Sequence, residues 1–167
     1  MADIVDLIFE DHQWFRRYFF YLDDAQSADE LTAIWGPLAI RLDTHADAEE
    51  TVFYPVLLKR GHAGDPEDET EDAIDDHNAI RDAVAEAGRH PVGSHEWFEA
   101  VGKARTENGE HLDEEEREAL PDFIKSSTPQ LRHELAMQWL QFYYRHPEGK
   151  GVDIEDKDAA AYIEENS

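Results

Sequence analysis

Four segments of the chain repeat apolar residues at spacings of three and four, the period of one face of an α-helix. In the first segment the repeat is Val5, Ile8, His12, Phe15, Phe19 and Leu22. The other three repeats begin at Leu31, Ala73 and Trp97. No segment combines the alternating polarity and the β-branched enrichment of a strand. The pattern therefore predicts an all-α protein.

Helix-capping residues separate these segments. Side chains suited to the N-cap position precede the four repeats, at Asp3, Ser27, Asp65 and Ser94. Gly88 is a natural helix end, and Thr128 with Pro129 begins a fifth helix that ends near His146. Because the four amphipathic helices have short connections, we expect an up-down-up-down four-helix bundle with an additional C-terminal helix.

The ends of the predicted helices divide the chain into three parts. Residues 1–127 form the bundle, residues 128–146 the appended helix, and residues 147–167 an acidic tail that we expect to be only partly ordered. The appended helix is strongly apolar on one side, which includes Leu135 and Trp139. We expect it to pack on an open face of the bundle; the alternative is a contact with a second copy of the chain.

Composition excludes several classes of protein. The chain has no cysteine, so it has neither a disulfide framework nor a thiolate metal site. A net charge of −25 disfavours nucleic acid and anionic membranes as partners. The first residues lack the basic region of a signal peptide, and no apolar run approaches the about 18 residues of a membrane span. We therefore expect a cytoplasmic protein.

Polar residues interrupt the apolar faces of the predicted helices. Each of the four helices places one histidine on its inward face, and the second and fourth add a glutamate four residues later. The six residues are His12, His45, Glu49, His77, His111 and Glu115. The second and fourth helices share the sequence motif H-x-D-x-E-E-x-x-x-x-P, at residues 45–55 and 111–121.

These six residues have the composition of a two-metal site. A histidine and a glutamate at i and i+4 share one helix face, and a buried carboxylate costs several kcal/mol unless it is paired or ligates a metal. Two histidines for each metal, with two bridging carboxylates, would account for the whole set. Imidazole and carboxylate without sulfur favour iron or manganese, with zinc as an alternative. Coordination positions left open would make such a site reactive rather than structural.

Other interpretations apply to single residues. One histidine on an apolar face is most often a hydrogen-bonded core residue, so the prediction depends on the joint arrangement. The neighbouring acids are interpreted as solvated surface, namely Glu50, Glu114, Glu116 and Glu118. The remaining histidines are interpreted as non-ligands, namely His62, His90, His95, His133 and His146.

The ensemble H…HxxxE…H…HxxxE on four helices resembles the hemerythrin-like HHE cation-binding family, from about Asp3 to Phe123. The resemblance implies a non-haem pair of iron ions with an oxo or hydroxo bridge, manganese or zinc being less favoured. It makes the four histidines terminal ligands, and Glu49 and Glu115 bridging ligands. Pro55 and Pro121 also fit the family, and each should kink or end its helix just beyond the site.

Departures from the family's oxygen carriers bear on the activity. Those carriers have a fifth histidine where this chain has Ala73, and an aspartate five residues after the last histidine, where this chain has Glu115 at four. One metal would then keep an extra exchangeable position. No glutamate here has a histidine three residues later, as ferritin-like di-iron proteins require.

Three functional hypotheses follow from the resemblance and these departures. The first is a di-iron protein that reacts with O2 or hydrogen peroxide, with a catalase-like activity or a role in oxidative or nitrosative stress. The alternative is an oxygen-binding protein, or an iron or oxygen sensor, without turnover. The third is a structural metal protein, with zinc or without a redox role. The expected partners are O2, H2O2 and NO, and the expected state is a monomer or a weak homodimer.

Overall fold

The computed structural model describes all 167 residues, and the chain is helical without any β-strand. The α-helices are α1 (Ile4–Asp24), α2 (Ala28–Ala48), α3 (Tyr54–Arg60), α4 (Pro66–Ala87), α5 (His95–Arg117), α6 (Ala119–Ser126), α7 (Pro129–Arg145) and α8 (Ala159–Asn166). A π-helix spans Glu49–Phe53 and a short 3-10 helix spans Pro147–Gly149. None of the helices has the length and apolar content to cross a membrane.

The predicted N-caps are confirmed. Each capping side chain accepts a hydrogen bond from a backbone N–H of its first helical turn, at Asp3, Ser27, Asp65, Ser94 and Thr128. These bonds satisfy donors that the start of a helix leaves without an intrahelical partner. The predicted end of α4 at Gly88 is confirmed as well.

Two apolar clusters lie on either side of a polar layer. One cluster contains the start of α1, the π-helix, α3, α6, α7 and α8, and the other contains the end of α1 and most of α2 and α5. Along α1 the clusters meet around His12, since Ile8 belongs to one and Phe15 to the other. Along α4 they meet around His77 in the same way, between Ile74 and Ile80. The inward histidines therefore lie in the polar layer between the two apolar clusters.

Pro55 and Pro121 both interrupt their helices, as predicted. Pro55 cannot donate a backbone hydrogen bond, and the turn before it widens so that the N–H of Tyr54 bonds to the carbonyl of Glu49. Before Pro121, Glu118 leaves helical geometry with φ −121° and ψ −74°, which separates α5 from α6. The first irregular turn begins at Glu49, and the second lies three residues after Glu115.

The appended helix α7 packs on α1 and α2 of its own chain. Its inward residues Leu135, Trp139 and Phe142 are buried in the first apolar cluster. Leu140 points the other way and is 47% exposed. The apolar side of this helix thus covers a face of the bundle.

In the final segment, residues 147–167, helix α8 packs back on α4. The side chain of Asn78 donates to the carbonyl of Lys157 at 2.7 Å and accepts from its N–H at 2.9 Å. Tyr162 is buried, and its hydroxyl donates to the backbone carbonyl of Glu50 at 2.5 Å. The acidic composition of this segment does not predict these specific contacts.

The packing of α7 can be tested with two neighbouring residues. Trp139→Ala removes a buried indole, and we expect a loss of about 3–5 kcal/mol in the free energy of unfolding. Leu140→Ala on the exposed side should change it by less than about 0.5 kcal/mol. Urea denaturation of the metal-free proteins measures both values. Equal effects would contradict the packing of α7 on the bundle.

Candidate metal centre

The six residues singled out in the sequence come together in the structure. They form two groups that share Glu49: His12, His45, Glu49 and Glu115 in the first group, and Glu49, His77 and His111 in the second. Within each group the potential ligand atoms lie within 4.8 Å of one another, and all six residues are buried. None of the five histidines interpreted as non-ligands belongs to either group.

Glu49 lies between the two groups with one oxygen toward each. Its Oε1 is 2.8 Å from Nε2 of His45 in the first group. Its Oε2 is 3.0 Å from Nε2 of His77 and 3.5 Å from Nε2 of His111 in the second. A carboxylate in this position has the geometry to bridge two cations.

Glu115 is placed less symmetrically. Its Oε2 lies 3.1 Å from Nε2 of His12, in the first group. Its Oε1 accepts a hydrogen bond of 2.7 Å from the hydroxyl of Tyr54. The first group therefore has four potential ligand residues and the second has three.

Several inward atoms make no hydrogen bond of acceptable geometry, although Nε2 of His45 lies close to Oε1 of Glu49 and Nε2 of His12 close to Oε2 of Glu115. These buried atoms are Nε2 of His12, Nε2 of His45, Oε1 of Glu49 and Oε2 of Glu115. All four belong to the first group and face one another. Buried polar atoms are almost always paired, and a cation among these four would satisfy them together. The donor set therefore fits a metal ion.

A carboxylate lies beside the outer nitrogen of each of the four histidines, and for His12, His45 and His77 the contact is a hydrogen bond. The distances from Nδ1 to the nearest carboxylate oxygen are 2.8 Å for His12 with Glu116, 3.0 Å for His45 with Asp11, 2.8 Å for His77 with Glu50 and 3.4 Å for His111 with Asp76. An Nδ1–H that donates to a carboxylate leaves Nε2 free as a ligand and fixes the orientation of the ring. The rings are thus oriented for a cation at the centre.

These contacts follow the order of the helices around the site. Asp11 of α1 holds the histidine of α2, and Glu50, just after α2, holds that of α4. Asp76 of α4 faces the histidine of α5, and Glu116 of α5 holds that of α1. We call this closed set of four the carboxylate ring.

The interpretation of Glu50 and Glu116 as solvated surface is therefore wrong. Glu50 is 4% exposed, and its Oε2 also lies 2.8 Å from Arg81 and 2.6 Å from Lys157. Glu116 binds Arg16 at 2.7 Å in addition to His12. The repeated H-x-D-x-E-E-x-x-x-x-P motif could have indicated this role, because in each copy the inward glutamate is followed directly by a second glutamate. Glu118 does lie on the surface, as predicted.

Charges in the site favour ionised carboxylates. Burial opposes the charged form of Glu50, but His77 and Arg81 outweigh it and lower the pKa of Glu50 to about 2. Burial also disfavours protonated His45, yet Glu49 and Asp11 raise the pKa of His45 to about 10. In the metal-free protein, a proton on His45 therefore offsets part of the negative charge, and a cation would replace that proton.

Aromatic rings and a cavity adjoin the centre. Phe15 lies 5.1 Å and Trp139 5.5 Å from the ring of His45, centre to centre. A cavity of about 20 Å³ borders both groups, and its buried walls include Tyr54, Ala73, His111 of the second group and Glu115 of the first. That volume admits one water-sized molecule. The cavity therefore reaches the centre from the side of α4 and α5.

Comparison with known proteins identifies the family. The family model described as hemerythrin HHE cation binding domain matches residues 3–123, so the chain belongs to the hemerythrin family. A search of curated proteins and a search of solved structures each gave no significant match. The chain is thus a member of a cation-binding family, and its structure brings together histidine and glutamate groups able to hold a metal.

The carboxylate ring predicts an effect on metal affinity. Asp11→Asn and Glu116→Gln each remove the charge that holds a histidine, and we expect Co²⁺ affinity to fall by about 10- to 100-fold. Glu110→Gln removes an exposed carboxylate one residue before His111 and should leave the affinity unchanged. Competition titration against a chromophoric chelator measures all three. Equal affinities would show that the ring does not support metal binding.

Proposed function

We propose that this protein is a non-haem di-iron protein that reacts with O2 or hydrogen peroxide. The observation that carries the proposal is Glu49, whose two oxygens face two separate histidine groups. Six buried residues, four of them histidines, form one layer and point their potential ligand atoms at one another. Two cations, with Glu49 between them, account for this layer better than one cation would.

Iron fits the donor atoms. Nitrogen from imidazole and oxygen from carboxylate, without sulfur, suit iron and manganese, and zinc remains the alternative. The second group offers three potential ligand residues, which leaves coordination positions for small molecules. When bound, a pair of irons supplies two electrons, the number that the conversion of peroxide requires.

The proposed topology is the up-down-up-down bundle of α1, α2, α4 and α5. Each of these helices contacts the next one, and α5 contacts α1. The carboxylate ring follows the same circuit. A bundle with neighbouring helices in chain order would place the four histidines at one level, as the two groups require.

Ala73 accounts for reactivity at the second group. It lies one helical turn before His77, and its methyl group lines the cavity beside His111. A small side chain here leaves space next to the centre that a ligating residue would otherwise fill. We assign this space to O2, H2O2 or NO, which are small enough for it.

Tyr54 places a hydroxyl group beside this space. Burial and the negative charges of Glu115 and Glu49 hold its pKa well above the usual value, so the hydroxyl keeps its proton. That hydroxyl donates to Oε1 of Glu115 at 2.7 Å and borders the cavity. Its role in the proposal is to orient Glu115 and to hold a proton beside the bound small molecule.

Peroxide consumption tests the proposal. Protein grown with iron should contain about two iron ions per chain, since two-metal sites act as a unit. Added hydrogen peroxide should then be consumed, with oxygen released faster than free iron releases it. If no oxygen is released above that background, the protein is an oxygen-binding or sensing member of the family instead. A single iron per chain, or zinc from iron-replete cells, would contradict the di-iron proposal itself.

Ala73→His tests where the reaction occurs. The added imidazole should fill the space at the second group and slow peroxide turnover by about ten-fold or more, one tenfold step being about 1.4 kcal/mol in the barrier. Ala85→His adds the same side chain at an exposed site of α4 and should have no effect. Initial rates are compared at equal iron content, because an overpacked core can lose metal. Equal rates in both variants would place the reaction elsewhere.

A further inference from the structure

Two oxidisable aromatic rings of α7 lead away from the metal centre. The ring of Trp139 lies 5.5 Å from that of His45, and the ring of Tyr143 lies 5.6 Å from that of Trp139, centre to centre. Indole and phenol lose one electron far more readily than the phenyl ring of phenylalanine does. Tyr143 is partly buried, so these rings connect the buried centre with the surface.

Hydrogen bonds connect Tyr143 to the centre by a second path. Its hydroxyl donates to Oδ2 of Asp11 at 2.6 Å, and the same oxygen lies 3.0 Å from Nδ1 of His45. Burial and the charge of Asp11 raise the pKa of Tyr143 well above its usual value, so the phenol keeps its proton. An oxidised phenol is a strong acid, and the carboxylate of Asp11 is in position to receive the proton that oxidation releases.

A surface groove gives small molecules access to Tyr143. Trp14, Arg41 and Tyr143 line this groove together. The guanidinium carbon of Arg41 lies 5.0 Å from the ring centre of Trp14 and 5.4 Å from that of Tyr143, within the range of a cation–π contact. Arg41 also donates to Oδ1 of Asp11 at 3.1 Å through its Nε, which fixes Asp11 beside the hydroxyl of Tyr143.

Tyr54 does not offer an equivalent path on the other side of the centre. Its ring lies 6.2 Å from that of His77, but Tyr54 is completely buried. Its other aromatic neighbour is Phe53, at 5.1 Å, and Phe53 packs on Phe123 at 5.2 Å. Because these neighbours are phenyl rings, an electron vacancy at Tyr54 has no oxidisable ring through which to reach the surface.

We propose that Tyr143 passes single electrons from a small organic donor in the groove to the metal centre, so that the protein is a peroxidase. The donor belongs to the enediol or phenol class, whose members lose one electron and one proton together. The inference deepens the proposed function and rests on it, because hydrogen peroxide, acting through the iron pair, is the oxidant.

The electrons and protons of this reaction balance. One electron leaves Tyr143 for the oxidised centre, and the phenol proton moves to Asp11, which leaves a neutral tyrosyl radical. A donor in the groove then returns an electron to Tyr143, and Asp11 returns the proton. Two donors, each losing one electron and one proton, reduce one hydrogen peroxide to two waters.

Electron paramagnetic resonance tests the role of Tyr143. Iron-loaded protein frozen soon after peroxide is added should show a tyrosyl radical, whose spectrum narrows when the protein is made with ring-deuterated tyrosine. Tyr143→Phe keeps the ring, removes only the hydroxyl and should lose this signal. Tyr144→Phe makes the same change at the next residue, which is 86% exposed, and should keep it. Samples are compared at equal iron content, because Asp11 also orients His45.

Ascorbate, an enediol, tests the donor reaction in the same samples. Peroxide-dependent oxidation of ascorbate should be slower by about ten-fold or more in Tyr143→Phe than in the wild type or in Tyr144→Phe. If the two variants oxidise ascorbate equally fast, or if the wild type forms no tyrosyl radical while it consumes peroxide, the role of Tyr143 is wrong and the proposed function stands. If the wild type with two irons consumes no peroxide, both proposals fall.

Discussion

The carboxylate of Glu49 joins the two histidine groups of a buried polar layer. The surrounding helices hold these groups on either side of it. A buried carboxylate needs compensating charge, and here His45 lies at 2.8 Å on one side and His77 at 3.0 Å on the other. The π-helix that begins at Glu49 depends on Pro55, which cannot donate a backbone hydrogen bond. Within that widened turn, Glu49 faces the centre and Glu50 reaches the outer nitrogen of His77. One proline thus helps to place two carboxylates at the centre of the bundle.

The carboxylate ring converts a set of helices into a defined site. Each histidine receives its orienting acid from another helix of the bundle, so a shift of one helix would disturb the contacts of two rings. The two apolar clusters on either side of the layer resist such shifts, because close-packed cores tolerate little displacement. The closing segment adds to this support, since Tyr162 binds the backbone of Glu50 and Lys157 its side chain. On the side of α4 and α5 a small cavity borders His111 and Glu115.

Much of this arrangement is predictable from the sequence, and the exceptions have a common cause. Caps and apolar spacing located the main helices, and the in-phase histidines and glutamates identified all six central residues. Periodicity describes one helix at a time, however, so it assigned Glu50 and Glu116 to the surface when their partners lie on other helices. The same limit applies to Glu115. One of its oxygens faces His12, while the other accepts a hydrogen bond from the hydroxyl of Tyr54, 61 positions away in the sequence. The packing of residues 147–167 involves single contacts such as that of Asn78, which leave no periodic signal.

Anomalous diffraction from crystals of the iron-loaded protein tests the central claim most directly, because it locates each iron ion separately. Data collected on both sides of the iron absorption edge should show two peaks, one on each side of the Glu49 carboxylate. One peak should lie against Nε2 of His12 and His45, and the other against Nε2 of His77 and His111. A single peak, or two peaks that do not share Glu49, would contradict the account.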